Sequence, residues 1–172
     1  SPAGCPGTAM PPLLLTMTSR ERVLAAIGHR EPDRVPVDLG ATPSSGISAI
    51  AYGRLRRHLG LTGGGTRVYD VVQQLAQPEG GILDRFGIDA VDLGRTFNTA
   101  DSDWHPVTLS DGSAAEYPRW FRPEPLAGGG FRALAPDGVE IAIQPKGMDF
   151  FDQTCFPWLD DYPADMSGLP AA

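Results

Sequence analysis

Apolar side chains recur at helical spacing near the start of the chain. The run Thr18-Ser19-Arg20-Glu21 matches a capping box, in which a Ser or Thr is followed three residues later by Glu. Val23, Leu24 and Ile27 then share one helical face. This pattern predicts a short first helix that ends near His29.

Two longer helical patterns follow. The first begins after Ser44 or Ser45, either of which is suited to cap a helix, and ends at Gly60. The second has the most regular apolar spacing in the chain. Its members are Val68, Val71, Val72, Leu75 and Ala76. Pro78 is expected to end or restart that helix, and a short one then continues to Phe86.

Two short apolar stretches are predicted to be strands. One covers 35–39 and is closed by Gly40, and the other covers 88–93 and is closed by Gly94. The order along the chain is therefore helix, strand, helices, strand. This order is typical of a parallel sheet whose strands are joined by helical crossovers.

From about residue 101 to 145 the pattern changes to short extended runs separated by turns. The turn sequences are Ser110-Asp111-Gly112-Ser113 and Ala135-Pro136-Asp137-Gly138. Asp-Gly supplies the positive φ angles that tight turns need, so each turn is predicted to close a β-hairpin. We therefore expect an antiparallel insert in this region.

Composition and charge narrow the class of protein. Of the 172 residues, 41% are hydrophobic and 20% are charged, which is typical of a globular domain rather than a disordered chain. The formal net charge of −7 argues against nucleic acid or an anionic membrane as a partner, because binding a polyanion needs an excess of cations. The opening residues lack both a basic region and a long apolar run, so neither a signal peptide nor a membrane span is predicted.

The two cysteines, Cys5 and Cys155, lie far apart and have no histidine pattern beside them. Neither a zinc cluster nor a disulfide framework is predicted from them, and a reducing, cytoplasmic location is expected. Residues 1–17 are interpreted as a disordered extension, and 18–172 as the domain.

The run TSRERVLAAIGHREPDRVPVDLG, from Thr18, resembles the opening of uroporphyrinogen decarboxylase-like proteins, in particular the branch that includes corrinoid-linked methyltransferases. The resemblance continues through LDRFGIDAVDLG and DGVEIAIQPKGMDFFD, and it covers roughly Thr18 to Asp152. It implies an α/β fold, namely the N-terminal part of a (β/α)8 TIM barrel with an antiparallel hairpin insert at about 101–145. The barrel is expected to be incomplete, because a whole one needs about 250 residues.

The resemblance implies a decarboxylase or a zinc- and corrinoid-linked methyltransferase, acting on a tetrapyrrole or on a methyl donor and corrinoid. The stretch 38–44 lacks the arginine-bearing turn with which the decarboxylases hold substrate carboxylates, and this favours the methyltransferase side. Zinc and corrinoid are expected only with further barrel segments, so no metal ligand is assigned here and the chain is expected to be inactive alone. The other hypothesis is a non-catalytic truncated domain or interaction module, with a homo-oligomer as one expected assembly.

In such barrels the chemistry lies at the carboxyl ends of the strands. This selects Asp38 and Asp92 as candidate catalytic residues, although the capping of a turn or of the following helix is the more common role for an aspartate placed like Asp38. Arg95 and Asn98, beyond the second strand, are candidate substrate-binding residues, as is His105 before the hairpins. Arg95 alternatively forms a plain surface ion pair with Asp92.

Several other features have ordinary structural interpretations. His29 and His58 lie near predicted helix C-termini, where a cation is favoured by the helix dipole. Gly63-Gly64-Gly65 lacks the Lys-Ser/Thr of a phosphate loop and is interpreted as a linker. Asp89 is expected to face outward or to cap. A group of aromatic residues either floors a pocket for a flat ligand or packs the hairpins against the barrel. They are Trp104, Trp120, Phe121, Phe150, Phe151, Phe156 and Trp158.

Overall fold

The computed structural model describes residues 17–92, 100–156 and 159. This part of the chain contains three α-helices: α1 (Ser19–Ile27), α2 (Ala49–His58) and α3 (Gly80–Phe86). Its strands are β1 (Ile47–Ser48), β2 (Val68–Asp70), β3 (Leu75–Ala76), β4 (Trp104–Thr108), β5 (Ala114–Pro118), β6 (Glu124–Pro125), β7 (Gly130–Leu134), β8 (Glu140–Pro145) and β9 (Asp152–Gln153). All three helices lie before residue 87, and strands and turns dominate after residue 100.

Helix α1 starts where its capping box predicts. The Thr18 hydroxyl accepts a hydrogen bond from the Glu21 backbone N–H, and the Glu21 carboxylate accepts one from the Thr18 N–H. Leu24 and Ile27, on the apolar face of this helix, are nevertheless 48% and 70% exposed. Arg22 is buried instead, since it is held by the two carboxylates of an ion-pair network described below.

Helix α2 begins later than predicted. Ser48, rather than Ser44 or Ser45, is the N-cap, and its hydroxyl accepts a hydrogen bond from the Ala51 N–H. The predicted caps lie in a 3-10 turn, Pro43–Ser45, that leads into β1. The helix ends close to the predicted position, as Gly60 follows it with a φ of 68°.

The stretch 68–76, with the most regular helical pattern in the sequence, is a β-hairpin. Val68 of β2 pairs with Ala76 of β3 across a turn at 71–74. The Asp70 carboxylate accepts hydrogen bonds from two backbone N–H groups of that turn, and Gln74 adopts a φ of 53°. The helix prediction is therefore wrong, because local side-chain hydrogen bonds gave the backbone an alternative to the helix.

The strands form three sheets. β1, β3 and β2 make a three-stranded sheet, β4 and β5 a two-stranded ribbon, and β6 to β9 a four-stranded sheet. Both predicted hairpins are confirmed, and Gly112 and Gly138 have φ angles of 81° and 86° in the turns of β4–β5 and β7–β8. Positive φ at these turns is the reason that the sequence places Asp-Gly there.

The prediction that the chain forms the N-terminal part of a (β/α)8 TIM barrel is wrong. Within the described ranges all six pairings of named strands are antiparallel, and no sheet is closed. Parallel pairing occurs there only as isolated bridges, Asp38–Ala90 and Arg67–Glu116. The observed architecture is a small mixed α/β fold built mainly from antiparallel hairpins.

The stretches 35–39 and 88–93, predicted to be parallel barrel strands, meet at a single bridge in their described parts. Asp89 donates its backbone N–H to the Val37 carbonyl at 2.8 Å. The pairing goes no further because Pro36 has no N–H to donate, while the Val37 N–H is taken by the Asp89 carboxylate. The Asp89 side chain thus accepts from the Val37 N–H, which would otherwise be free to bond to a neighbouring strand.

One hydrophobic core joins the sheets and two of the helices. Its buried members are Ala49, Tyr52, Val68, Val71, Ala76, Ile82, Leu109, Ala115, Tyr117, Phe121, Ala133, Ala142 and Phe151. Backbone hydrogen bonds reinforce it, since Glu116 of β5 donates to the Thr66 carbonyl and Phe151 donates to the Val72 carbonyl. None of the helices in the described residues has the length and apolar content needed to cross a membrane.

Candidate ligand-binding groove

The β4–β5 ribbon separates two cavities. Successive residues of a strand point to opposite faces, so His105 and its direct partner Tyr117 lie on one face, while Trp104 and Glu116 lie on the other. The first face borders a groove and the second a more polar cavity. The alternation along two short strands therefore gives the two cavities different chemistry.

The groove lies between the β4–β5 ribbon and the β7–β8 hairpin and has a volume of about 550 Å³. Small-molecule sites commonly span roughly 300–1,000 Å³. The groove is lined by His105, Val107, Thr108, Leu109, Ser110, Tyr117, Arg122, Pro123, Phe131, Gln144 and Phe151. Its size and mostly apolar lining suit a flat organic molecule.

Three buried aromatic rings support the groove. Tyr117 and Phe121 meet edge to face with their centroids 5.2 Å apart, and Phe121 meets Phe151 in the same way at 5.4 Å. The Tyr117 hydroxyl donates a hydrogen bond of 2.7 Å to the buried Gln74 side chain. Burial raises the pKa of Tyr117 to about 12, so its phenol is neutral at physiological pH.

His105 has its ring fixed by the backbone. Its Nε2 lies 2.9 Å from the Phe121 carbonyl oxygen. Because a carbonyl only accepts hydrogen bonds, Nε2 must carry a hydrogen. In the neutral ring Nδ1 is therefore an acceptor.

Two polar residues complete the groove. Gln144 on β8 is buried, with 6% of its surface exposed. Arg122 is exposed and donates from Nε to the Arg119 carbonyl at 3.2 Å. The groove thus combines an amide inside with a guanidinium at its outer edge.

The polar cavity on the opposite face has a volume of about 740 Å³. In it Arg67 pairs with Glu116 at 2.8 Å and with Asp101 at 2.5 Å, and these two hydrogen bonds raise its pKa. The glycine run predicted to be a linker forms one wall, and Arg56 donates a hydrogen bond to the Gly63 carbonyl there. Because its arginine is already paired with carboxylates, we interpret this cavity as structural.

The structure separates the predicted site residues. Asp38 accepts a hydrogen bond from the Ala41 N–H at 2.8 Å, so its alternative role as a turn cap is confirmed. Asp92 is half-buried at the end of a described segment, and neither aspartate lines the groove. Arg95 and Asn98 lie outside the described residues. Of the five, His105 is the one that lies in the groove.

Asp89 was expected to face outward or to cap, and its observed position is different. Its side chain has no exposed surface and accepts hydrogen bonds from Arg22 at 2.5 Å, Arg34 at 2.7 Å and the Val37 N–H at 2.9 Å. Burial alone would oppose ionisation, but these donors outweigh it and hold the pKa of Asp89 well below its usual range. We call Asp89, Arg22, Arg34 and Asp33 the Asp89 network.

The sequence did not reveal Gln144, Tyr117 or Arg122 as groove residues. In β8 the isoleucines at 141 and 143 suggest the inward face, yet Ala142 and Gln144 are the buried positions. A polar Gln at an inward strand position is a signal for a site, but it becomes visible only when the register of the strand is known.

Within the described residues no group of three or more His, Cys, Asp or Glu side chains is placed to hold a metal ion. Comparisons with protein-family models, with curated proteins and with solved structures give no match. The resemblance to uroporphyrinogen decarboxylase-like proteins therefore stays a prediction from the residues quoted above.

Proposed function

We propose that the chain is the ligand-binding part of an enzyme and that its groove receives one face of a flat tetrapyrrole. The observation that carries the proposal is the aromatic support formed by Tyr117, Phe121 and Phe151, beside the fixed ring of His105. Apolar ring surface is stabilised on such a support by roughly 25 cal/mol per Å² removed from water. Arg122, at the outer edge, is suited to a ligand carboxylate.

The type of reaction is proposed from the resemblance alone. It is decarboxylation of a tetrapyrrole, or methyl transfer with zinc and a corrinoid. We assign binding, and no catalytic step, to the described side chains. The chain is proposed to bind its ligand without turnover, and a cytoplasmic location belongs to the same proposal.

Absorption titration with coproporphyrin, a tetrapyrrole with four carboxylates, tests the binding. The purified chain is expected to bind it saturably. Arg122→Ala should weaken binding roughly tenfold at low salt, since a hydrogen bond to a charged group contributes about 1.5–3 kcal/mol. Arg85→Ala, an exposed arginine on α3, is the matched control and should leave the affinity unchanged.

Three results would contradict this proposal. The first is the absence of saturable binding by the folded chain. The second is an equal loss of affinity in both arginine variants, which would indicate a general attraction of anions. The third is release of carbon dioxide from uroporphyrinogen by the chain alone, which would contradict the assignment of binding without turnover.

A second candidate function is self-association. Large apolar side chains are exposed around the Asp89 network, on α1, α3 and the segment between α1 and the Asp38 bridge. They are Leu24, Ile27, Val35, Val37 and Phe86. Concentrations of exposed apolar surface commonly mark interaction sites. Sedimentation should then show a concentration-dependent dimer that Ile27→Glu disrupts, whereas a monomer at every concentration would contradict this function.

A further inference from the structure

The hydrogen bonding of His105 in the groove is the arrangement that metal-binding histidines usually have. Its Nε2 donates a hydrogen bond of 2.9 Å to the Phe121 backbone carbonyl, so in the neutral ring the lone pair is on Nδ1. A histidine that binds a metal ion nearly always donates its other ring N–H to a carboxylate, a backbone carbonyl or water. That hydrogen bond fixes the tautomer and makes the nitrogen that binds the metal more basic.

The His105 ring has a second contact, with Tyr117. The two rings meet edge to face with their centroids 6.4 Å apart, and the Tyr117 hydroxyl is itself hydrogen-bonded to Gln74 at 2.7 Å. The two residues are direct partners in the register of β4 and β5. The imidazole is therefore oriented by two contacts on paired strands, and a ligand held in this way binds a metal with little loss of freedom.

The surroundings of His105 define the kind of metal that it binds. In the described part of the chain, His105 does not belong to a group of three His, Cys, Asp or Glu side chains that could hold a free metal ion. A porphyrin does not need such a group, because its own ring nitrogens hold the metal and the protein adds an axial ligand. Histidine has this role toward haem iron in several classes of protein. The apolar lining of the groove, which includes Val107, Phe131 and Phe151, suits the ring of the same ligand.

We infer that Nδ1 of His105 is the axial ligand of a metal ion held in a flat porphyrin, and that the groove is a site for an iron porphyrin. The inference rests on the proposed function, since it narrows the ligand from flat tetrapyrroles in general to those that carry a metal ion. The metal and the carboxylates of such a ligand meet different residues, namely His105 and Arg122. The two contributions are therefore measurable separately.

Hemin and metal-free protoporphyrin IX form a matched pair of probes, because they share the ring and its propionates and differ in the iron. Absorbance titrations should show that the wild-type chain binds hemin more tightly. His105→Ala should weaken hemin binding at least roughly tenfold, since loss of groups that merely support a metal ligand already costs about 10–100-fold. It should leave the affinity for protoporphyrin unchanged. His58→Ala, at the exposed end of α2, is the matched control and should behave as the wild type.

A spectroscopic measurement separates a metal ligand from a residue that only supports the fold. The resonance Raman spectrum of the reduced wild-type complex with hemin should contain the iron–histidine stretching band. The band should be absent in His105→Ala and present in His58→Ala. Added imidazole, which fits the space left by the missing ring, should restore both an iron–imidazole band and tight hemin binding to His105→Ala.

The outcomes separate this inference from the proposed function. If the wild type binds both probes equally well, or if the iron–histidine band survives in His105→Ala, the axial ligand is refuted while tetrapyrrole binding stands. Equal loss of both probes in His105→Ala, with no recovery in imidazole, would assign the residue a structural role and overturn the inference. If neither probe binds the folded wild type, the proposed function fails and the inference fails with it.

Discussion

Two regions of this molecule are stabilised by different forces. Around α1, the segments near residues 33–38 and 87–90 are joined by the charges of the Asp89 network and by a single backbone bridge. Beyond residue 100, paired strands are joined by aromatic packing, with Phe121 at the centre between Tyr117 and Phe151. Both regions leave some large apolar side chains exposed, among them Ile27 in the first and Trp120 in the second.

The difference shows that apolar spacing does not decide alone which face of an element is buried. In α1, the buried carboxylate of Asp89 needs cationic partners, and the requirement to satisfy it places Arg22 inside. In the hairpins no described carboxylate is buried in this way, and apolar packing decides the arrangement. We therefore expect the two regions to respond differently to loss of charge and to loss of apolar volume.

The largest effect is expected from removing aromatic volume in the hairpin region. Phe151→Ala should lower the free energy of unfolding by about 4 kcal/mol, because a buried Phe is replaced by a cavity. Its neighbour Phe150, 48% exposed, supplies the control, and Phe150→Ala should change stability by less than about 0.5 kcal/mol. Urea denaturation measures both variants, and similar losses would refute the packing assigned to Phe151.

Loss of charge at Asp89 tests the other region. Asp89→Asn keeps the size of the side chain but leaves Arg22 without that carboxylate, and it should cost about 3 kcal/mol. Hydrogen exchange should rise first at α1 and at the Val37 amide, and less in β4 to β8. Asp84→Asn, on the exposed side of α3, is the control. Uniformly faster exchange across both regions would show that the network does not act locally.

A smaller effect is expected at the hairpin turns. Gly138 has a φ of 86°, and an added Cβ there would meet no atom within 4 Å, so Gly138→Ala tests backbone strain alone. It should cost about 1 kcal/mol. Gly128→Ala, equally open but without a positive φ, should be nearly neutral. Thermal unfolding distinguishes the two, and equal behaviour would argue against the assigned turn.

The smallest effect is expected from lowering the pH, which protonates Asp33. Hydrogen bonds from Arg22 lower the pKa of Asp33 to about 2. Because the folded pKa is below the unfolded value of about 3.9, ionised Asp33 stabilises the fold fully above that pH, and the contribution is lost as the pH falls toward 2. Urea denaturation should therefore show a stability gap between wild type and Asp33→Asn that is constant above pH 5 and closes in acid. A gap that persists at pH 2 would contradict this sign.

Local features of the fold could be predicted from the sequence. The capping box of α1, the short helix after Pro78 and the two Asp-Gly hairpins were predicted correctly, because each depends on residues that are close in sequence. The candidate site was predicted poorly. His105 lies in the groove, but Gln144 and Tyr117 were missed. The face of the sheet on which these two side chains lie depends on the register of the paired strands.

The residues alone predicted the start of the first helix, the two Asp-Gly turns and an antiparallel region after residue 100. The hairpin at 68–76, the burial of Asp89 among arginines and the position of Gln144 in a groove become evident from the folded structure. The physical reason is the distance along the sequence between the residues that interact. Turns and caps are stabilised by hydrogen bonds within a few residues, whereas the burial of a side chain depends on partners such as Arg22 and Asp89, which are distant in sequence and meet only when the chain has folded.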